Sequence, residues 1–164
     1  KGRKRNQIHS LHLDPVMLEE NNRVIAAKYE QMKKHEVLYE RHNCSRYNKV
    51  LLVAYGTMAR ICKTAIDVLA DEGFNVGLFR PITLNPFPYD ACREVMDKAK
   101  RVLCIEMNMG QMIQDIRLAG EGSKQIDFYG KAGGVIPSVG DVVEQMREAI
   151  ARAEGGEKAT RNVK

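Results

Sequence analysis

Arg101-Val-Leu-Cys-Ile-Glu106, then Met107-Asn-Met-Gly-Gln111, then Met112-Ile-Gln-Asp-Ile-Arg-Leu-Ala119 is the stretch from which the fold is read. Its first part is a short apolar run bounded by charge, the pattern of a buried strand. Its last part carries apolar residues at 112, 113, 116 and 119, which is helical spacing. The turn between them holds an amide, a glycine and a second amide. In an open α/β sheet such a turn lies at the carboxyl edge, where these folds place ligands or partners. Gly110 lets the backbone bend or approach closely. Asn108 and Gln111 offer neutral donors and acceptors but no acid, base or nucleophile. The edge is suited to touching something, not to reacting with it.

Upstream, Lys49 to Tyr55 is an apolar strand that ends at Gly56, and Thr57 is placed to cap a helix over about 58–71. Asn75 to Arg80 is a second strand, stopped by Pro81. Ile82-Thr-Leu-Asn-Pro-Phe-Pro88 then forms a stiff, extended loop with prolines at 81, 86 and 88. Its Ile82, Leu84 and Phe87 are expected to pack on something. A helix from about Tyr89 to Ala99 leads back to the opening strand. Downstream, Gln125 to Tyr129 alternates as a half-exposed edge strand should, and Gly130 to Gly134 is a turn. Ser138 and Asp141 resemble a capping box for a helix over 139–153. Strands alternating with helices argue for βαβ units and a mainly parallel sheet.

Before this body, Asp14-Pro15 reads as a cap and a first helical residue. From Val16 to about Arg41 there is no glycine or proline, and Leu18, Ile25, Met32 and Tyr39 recur every seven residues. Asn21, Lys28 and His35 are polar, so no full coiled-coil seam exists. The reading is one long helix with a thin apolar stripe, lying across the following domain or reaching a second chain. His35 and His42 are seven apart on it, whereas helical metal-ligand pairs are usually four apart. They read as solvated. His9 and His12 lie in the irregular lead. The expected organisation is a basic lead with the long helix over 1–46, an α/β domain over 47–153, and a disordered tail over 154–164.

The chain has 164 residues, 44% of them hydrophobic and 29% charged, which suits a globular domain with a real core. Its net charge of +5 comes from the two ends, residues 1–5 and 157–164, leaving about −1 for the rest. With no basic stripe interleaved with aromatics, nucleic-acid binding is not expected. No apolar run approaches the roughly 20 residues that span a bilayer, and the first residues lack a secretory h-region. Cys44, Cys62, Cys92 and Cys104 form no CxxC pair and match neither zinc nor iron–sulfur spacing. They read as reduced thiols of a cytoplasmic protein.

The candidates for chemistry are few. A dinucleotide fold needs G-x-G-x-x-G after the first strand, and this chain has Gly56-Thr57-Met58-Ala59. Lys131 lacks the glycine and the Ser or Thr of a phosphate loop. Glu106 is either a hydrogen-bonded structural carboxylate or an acid or base. Arg80 either binds a carboxylate or phosphate bidentately or pairs with Glu106. No nucleophile–base pair stands at these turns.

Three segments, VLLVAYGTMARICKTAID (50–67), VGLFRPITLNPFP (76–88) and VLCIEMNMGQMIQDIRLA (102–119), occur in an order and spacing that resembles a known family. It is the C-terminal domain of the alpha subunit of 2-oxoacid:ferredoxin oxidoreductases, nearest the 2-oxoisovalerate (branched-chain) type, with the 2-oxoglutarate type next. His12-Leu-Asp-Pro15 and the long helix resemble the stretch joining that subunit's two domains. The resemblance spans about residues 10–152. It implies a transketolase C-terminal-domain-like fold, a three-layer α/β/α sandwich with a mostly parallel sheet and sometimes one antiparallel strand. It implies an intact enzyme of anaerobic metabolism that converts a 2-oxoacid and coenzyme A to acyl-CoA and carbon dioxide, reducing ferredoxin. Thiamine diphosphate, magnesium and iron–sulfur clusters serve that enzyme, and the resemblance places them outside this chain. It implies as partners an upstream thiamine-pyrimidine domain and the beta and gamma/delta subunits. A homo-oligomer through the long helix is a further possibility. Gly56, Thr57, the loop Arg80-Pro81 to Asn85-Pro86 and Pro88, Asn108, Gly110 and Gln111 are then expected to face neighbouring domains, with Glu106 beside them. Asn85 stands where the branched-chain type is expected to have a bulkier residue. Two other functions fit the residues: a stand-alone domain binding a small anionic ligand through Arg80 and the 108–111 turn, or an interaction module acting through the long helix.

Overall fold

A computed structural model describes residues 2–6 and 11–155. His9, most of the tail 154–164 and part of the basic lead therefore fall outside the described residues. The chain divides into two compact units, one up to Glu36 and one from Val37 onward.

The first unit holds α1 (Pro15–His35). Asp14 caps it as its sequence requires: Oδ1 accepts from the amides of Val16 at 2.8 Å and Met17 at 3.3 Å. Lys33, Lys34 and His35 fill the last turn, where cations suit the helix dipole. No residue of α1 is buried.

The second unit contains β1 (Tyr39–His42), β2 (Val50–Val53), α2 (Gly56–Asp71), β3 (Val76–Pro81) and α3 (Tyr89–Lys98). It continues with β4 (Arg101–Glu106), α4 (Met112–Gly120), β5 (Ile126–Gly130) and α5 (Val139–Ala153). The sheet order is β1-β3-β2-β4-β5, with β1 antiparallel to β3 and every other pairing parallel. Alternate residues of the central strands feed two cores. Val50 and Leu52 join Leu103 and Ile105 against α2 and α5. Leu51 and Val53 join Val102 and Cys104 against α3 and α4. The result is the expected three-layer sandwich. Both faces of β2 are covered, which is why its sequence is a continuous apolar run and not an alternating one. The capping box of α5 is present: Asp141 N donates to Ser138 Oγ at 3.1 Å, and Ser138 N donates to Asp141 Oδ2 at 2.8 Å. Among the described residues no helix is long and apolar enough to cross a membrane.

One element differs from the sequence reading. The long helix does not run to Arg41; it stops at His35, and Tyr39–His42 is an edge strand. His35 and His42 therefore share no helix face. The cause is tertiary. Leu38 O accepts from the amides of Ile82 at 2.9 Å and Thr83 at 3.1 Å. Tyr39 stacks on Phe79 with centroids 5.5 Å apart. Glu40 pairs with Lys63 of α2 and, at 3.1 Å, with Arg80 of β3. Arg41 pairs with Glu94 of α3 at 2.6 Å. The strand is thus fastened to both helical layers by charge, and its helix-compatible residues are overruled.

These pairs carry a pH prediction. The Arg41 hydrogen bond, then that of Lys98, holds the Glu94 carboxyl down at about 2, and the Lys63 hydrogen bond holds Glu40 below its ordinary value. Both are depressed carboxylates, so their contribution is complete above the ordinary value of 4.5 and is lost as pH falls toward 2. Hydrogen exchange is expected to show β1 amides losing protection across that window while β2 amides stay protected. Added salt at neutral pH should act in the same direction, because the pairs are partly exposed. Unchanged β1 protection at pH 2 would show that charge does not hold the strand.

Candidate functional site

From β2 the chain turns into α2 and proceeds to β3 on one side. From β4 it turns into α4 and proceeds to β5 on the other. The switch point of this sheet therefore lies between the carboxyl ends of β2 and β4, where doubly wound folds open a crevice. Tyr55, Gly56 and Thr57 form one wall and Met107 to Gln111 the other. Asn108 Nδ2 donates across it to Tyr55 Oη at 3.2 Å.

The second wall is built by two side chains. Glu106 ends β4 on the α4 side of the sheet with no exposed surface. Its carboxylate accepts from Met112 N at 2.8 Å, Ile113 N at 3.0 Å, Asn108 Nδ2 at 2.9 Å and Cys104 Sγ at 3.3 Å. Asn108 Oδ1 accepts from Gly110 N at 2.7 Å and Gln111 N at 3.1 Å. A helix start leaves four amides without intrahelical partners. Here the four amides from Gly110 to Ile113 are all taken by Glu106 and Asn108. Gly110 has φ +100°, which makes glycine the fitting residue at that bend. The neighbour strand closes in from the side: Lys131 N donates to Glu106 O at 3.2 Å.

The remaining candidates fall along the same edge with different partners than anticipated. Arg80 pairs with Glu40, not with Glu106, because β2 stands between β3 and β4 and the missed strand β1 supplies the closer carboxylate. Thr57 does not cap α2: the helix begins at Gly56, and its N-cap, Tyr55, makes no side-chain cap bond. Pro81 closes β3, Asn85–Pro86 is a cis peptide, and Pro88 precedes α3 with its carbonyl accepting from Cys92 N at 2.9 Å. Of the loop's apolar residues, Phe87 is buried, whereas Ile82 and Leu84 remain exposed.

Sequence reasoning singled out Ile82 and Leu84 as needing something to pack on, but not the other apolar side chains of this edge. Ile82 and Leu84 follow β3, Met109 follows β4 with 80% of its surface exposed, and Val135 and Ile136 follow β5. Leu38 and Tyr39 add to them, since β1 runs antiparallel and starts at the same edge. Elsewhere in this unit only Tyr47, Val68, Leu118 and Phe128 of β5 are large, apolar and exposed among the described residues. Composition carries no signal of that asymmetry; topology does.

Among the described residues the donor set does not fit a metal or cluster. Cys62 lies in the α2 layer, and Cys92 and Cys104 lie in the opposite one. Burial pushes the Cys62 and Cys92 thiols up to about 12. Burial, then the Glu106 charge, pushes Cys104 up as well. Thiolate ligation is therefore opposed at each. Among the described residues no group of three His, Cys, Asp or Glu side chains is placed to hold a metal ion.

Fold and edge together define a doubly wound α/β/α domain with a closed, internally bonded switch point and an apolar rim. The chain belongs to the family described as pyruvate:ferredoxin oxidoreductase core domain II, which matches residues 48–152. It is 39% identical over 144 residues to ketoisovalerate oxidoreductase subunit VorB of Methanothermobacter thermautotrophicus, covering 88% of this chain and 40% of that protein. The resemblance drawn from the three quoted segments is borne out. The 2-oxoglutarate:ferredoxin oxidoreductase from Magnetococcus marinus, solved with 2-oxoglutarate, coenzyme A and succinyl-CoA bound, matches with a TM-score of 0.72. That match has 23% identity and covers 85% of this chain and 24% of that one. A split gene transketolase, an inactive beta4 tetramer, matches with a TM-score of 0.54 and 17% identity, over 63% of this chain and 39% of that one. These two likenesses bear out the transketolase-like fold. The chain spans about 40% of the length of the VorB relative.

Proposed function

We propose that this chain is a non-catalytic assembly domain of the alpha subunit of a thiamine-diphosphate-dependent 2-oxoacid:ferredoxin oxidoreductase. The intact complex would convert a 2-oxoacid and coenzyme A to acyl-CoA and carbon dioxide while reducing ferredoxin. The VorB relative favours a branched-chain 2-oxoacid. The observation that carries the reading is the collection of exposed apolar side chains around a carboxyl edge where Glu106, Asn108 and the amides of Gly110 to Ile113 already satisfy one another. Such an edge gains by being covered and offers nothing for proton or group transfer. Its partners are then the thiamine-pyrimidine domain of the same subunit and the beta and gamma/delta subunits. Thiamine diphosphate, magnesium and the clusters would belong to those parts, as the family resemblance implies. In this reading the lead and α1 run up to Glu36, the α/β body with β1 follows from Val37 to about residue 153, and the location is cytoplasmic. The reading as an anion-binding domain is weakened because the α4 amides are engaged within the chain and Arg80 already pairs with Glu40, although its buried Nε has no partner. An interaction role for α1, with a second copy or another subunit, is favoured by that helix having no buried residue.

The test uses the intact enzyme carrying Met109→Glu. A charge at the centre of the apolar rim is expected to weaken assembly about tenfold or more, as substitution of a buried interface anchor does. Circular dichroism of the domain should be unchanged, and this chain alone should reduce no ferredoxin with any 2-oxoacid. Full assembly of the variant, or turnover by the isolated chain, would refute the proposal.

A further inference from the structure

In binding domains of this architecture, the place outside the strand ends at the switch point belongs to a ligand, often an anion resting on a helix N-terminus. Here that place is filled from within. Glu106 is fully buried, and its four donors are two backbone amides, one side-chain amide and one thiol, none of them cationic. A buried carboxylate without a counter-ion is costly unless its oxygens are bonded. The positive end of α4 and these four donors meet that cost. Asn108 then ties the same carboxylate to the amides of Gly110 and Gln111 and to Tyr55 across the crevice.

We infer that Glu106 is a built-in carboxylate ligand that occupies the anion position of the switch point, shuts it to external anions and holds the 107–111 loop in shape. The inference does not depend on the complex to which the chain belongs. It makes the site a carboxylate site that becomes available once the side chain is removed.

Chemical rescue tests it. In Glu106→Ala the donors of Met112, Ile113 and Asn108 are left facing a cavity. The variant is expected to melt below the unsubstituted chain, and formate or acetate should restore its melting temperature saturably, whereas chloride at equal ionic strength should not. Amide resonances of Gly110 to Ile113 should shift with the added formate. The unsubstituted chain should respond to neither formate nor inorganic phosphate. Glu106→Gln fills the space and should not be rescued. If Glu106→Ala does not fold, refolding yield in formate against chloride replaces melting: a rise supports the assignment. No formate dependence in Glu106→Ala by either readout, or an equal response in the unsubstituted chain, would overturn it.

Discussion

Phe79→Ala is expected to cost about 3–5 kcal/mol, as truncation of a buried aromatic side chain does. Phe79 is the largest fully buried side chain among the described residues, and it stands where three elements meet. Its register partners are Val53 on β2 and Arg41 on β1, and its ring carries Tyr39. An alanine would leave a cavity beneath α3 and remove the platform on which β1 rests. Against a total stability of about 5–15 kcal/mol, this loss brings the domain near its threshold. Tyr39→Ala removes the other half of the stack, but from a side chain that is already 41% exposed. Its cost should stay near that of an aromatic pair, about 0.5–1.5 kcal/mol. Urea unfolding of both variants, with unchanged slopes, measures the difference. Equal costs would mean that β1 is not organised by the buried ring beneath it.

That junction also explains which parts of the molecule the sequence discloses. Strands β2 to β5 and helices α2 to α5 announce themselves because their periodicities change at punctuation: Gly56, Pro81, Pro88, Gly110, Gly122 and Ser138. Strand β1 has no such signal. Val37 to His42 contains no glycine or proline and continues a seven-residue recurrence through Tyr39. What makes it a strand is contact with Phe79, Arg80, Lys63 and Glu94, which lie between 23 and 53 residues away. The error propagates to the site. Without β1, Glu40 is not on the sheet, and Glu106 looks like the nearest carboxylate for Arg80. Glu106 itself is half legible. Its place at a strand end marks it as structural or chemical, and only the geometry shows that its partners are the amides six and seven residues later. The lack of reactive groups in the turn Met107 to Gln111 is legible in the sequence, and its proposed role as a contact surface rests on that. Of its apolar companions Ile82 and Leu84 stand out in the sequence as needing a partner, whereas Met109 and Ile136 do not, because topology and not sequence proximity brings them to the same edge.

Gly130→Ala should show how closely that edge is built. Gly130 lies opposite Glu106 at the end of β5. It is not among the positive-φ residues, so alanine meets no backbone penalty there. The obstacle is space. A Cβ would lie 2.6 Å from Asn108 O and 2.5 Å from Phe128 Cζ. The ring can turn aside; the carbonyl is held by a loop that Glu106 and Asn108 pin from both ends. Overpacking of this kind costs about 1–3 kcal/mol, and the strain should appear as shifted amide resonances at Asn108 to Ile113. Gly133→Ala, where nothing lies within 4 Å, is the control: it is strained by its φ of +72° but should leave those resonances in place. A double-mutant cycle separates the two clashes. If the ring were the whole obstacle, Phe128→Ala would make Gly130→Ala neutral. If the Asn108 carbonyl matters, Gly130→Ala should remain destabilising in the Phe128→Ala background, and the loop shifts should persist. The second outcome is expected, because the carbonyl belongs to the one segment of the edge whose donors and acceptors are already committed. Movement there has to break a bond to Glu106 or to Tyr55.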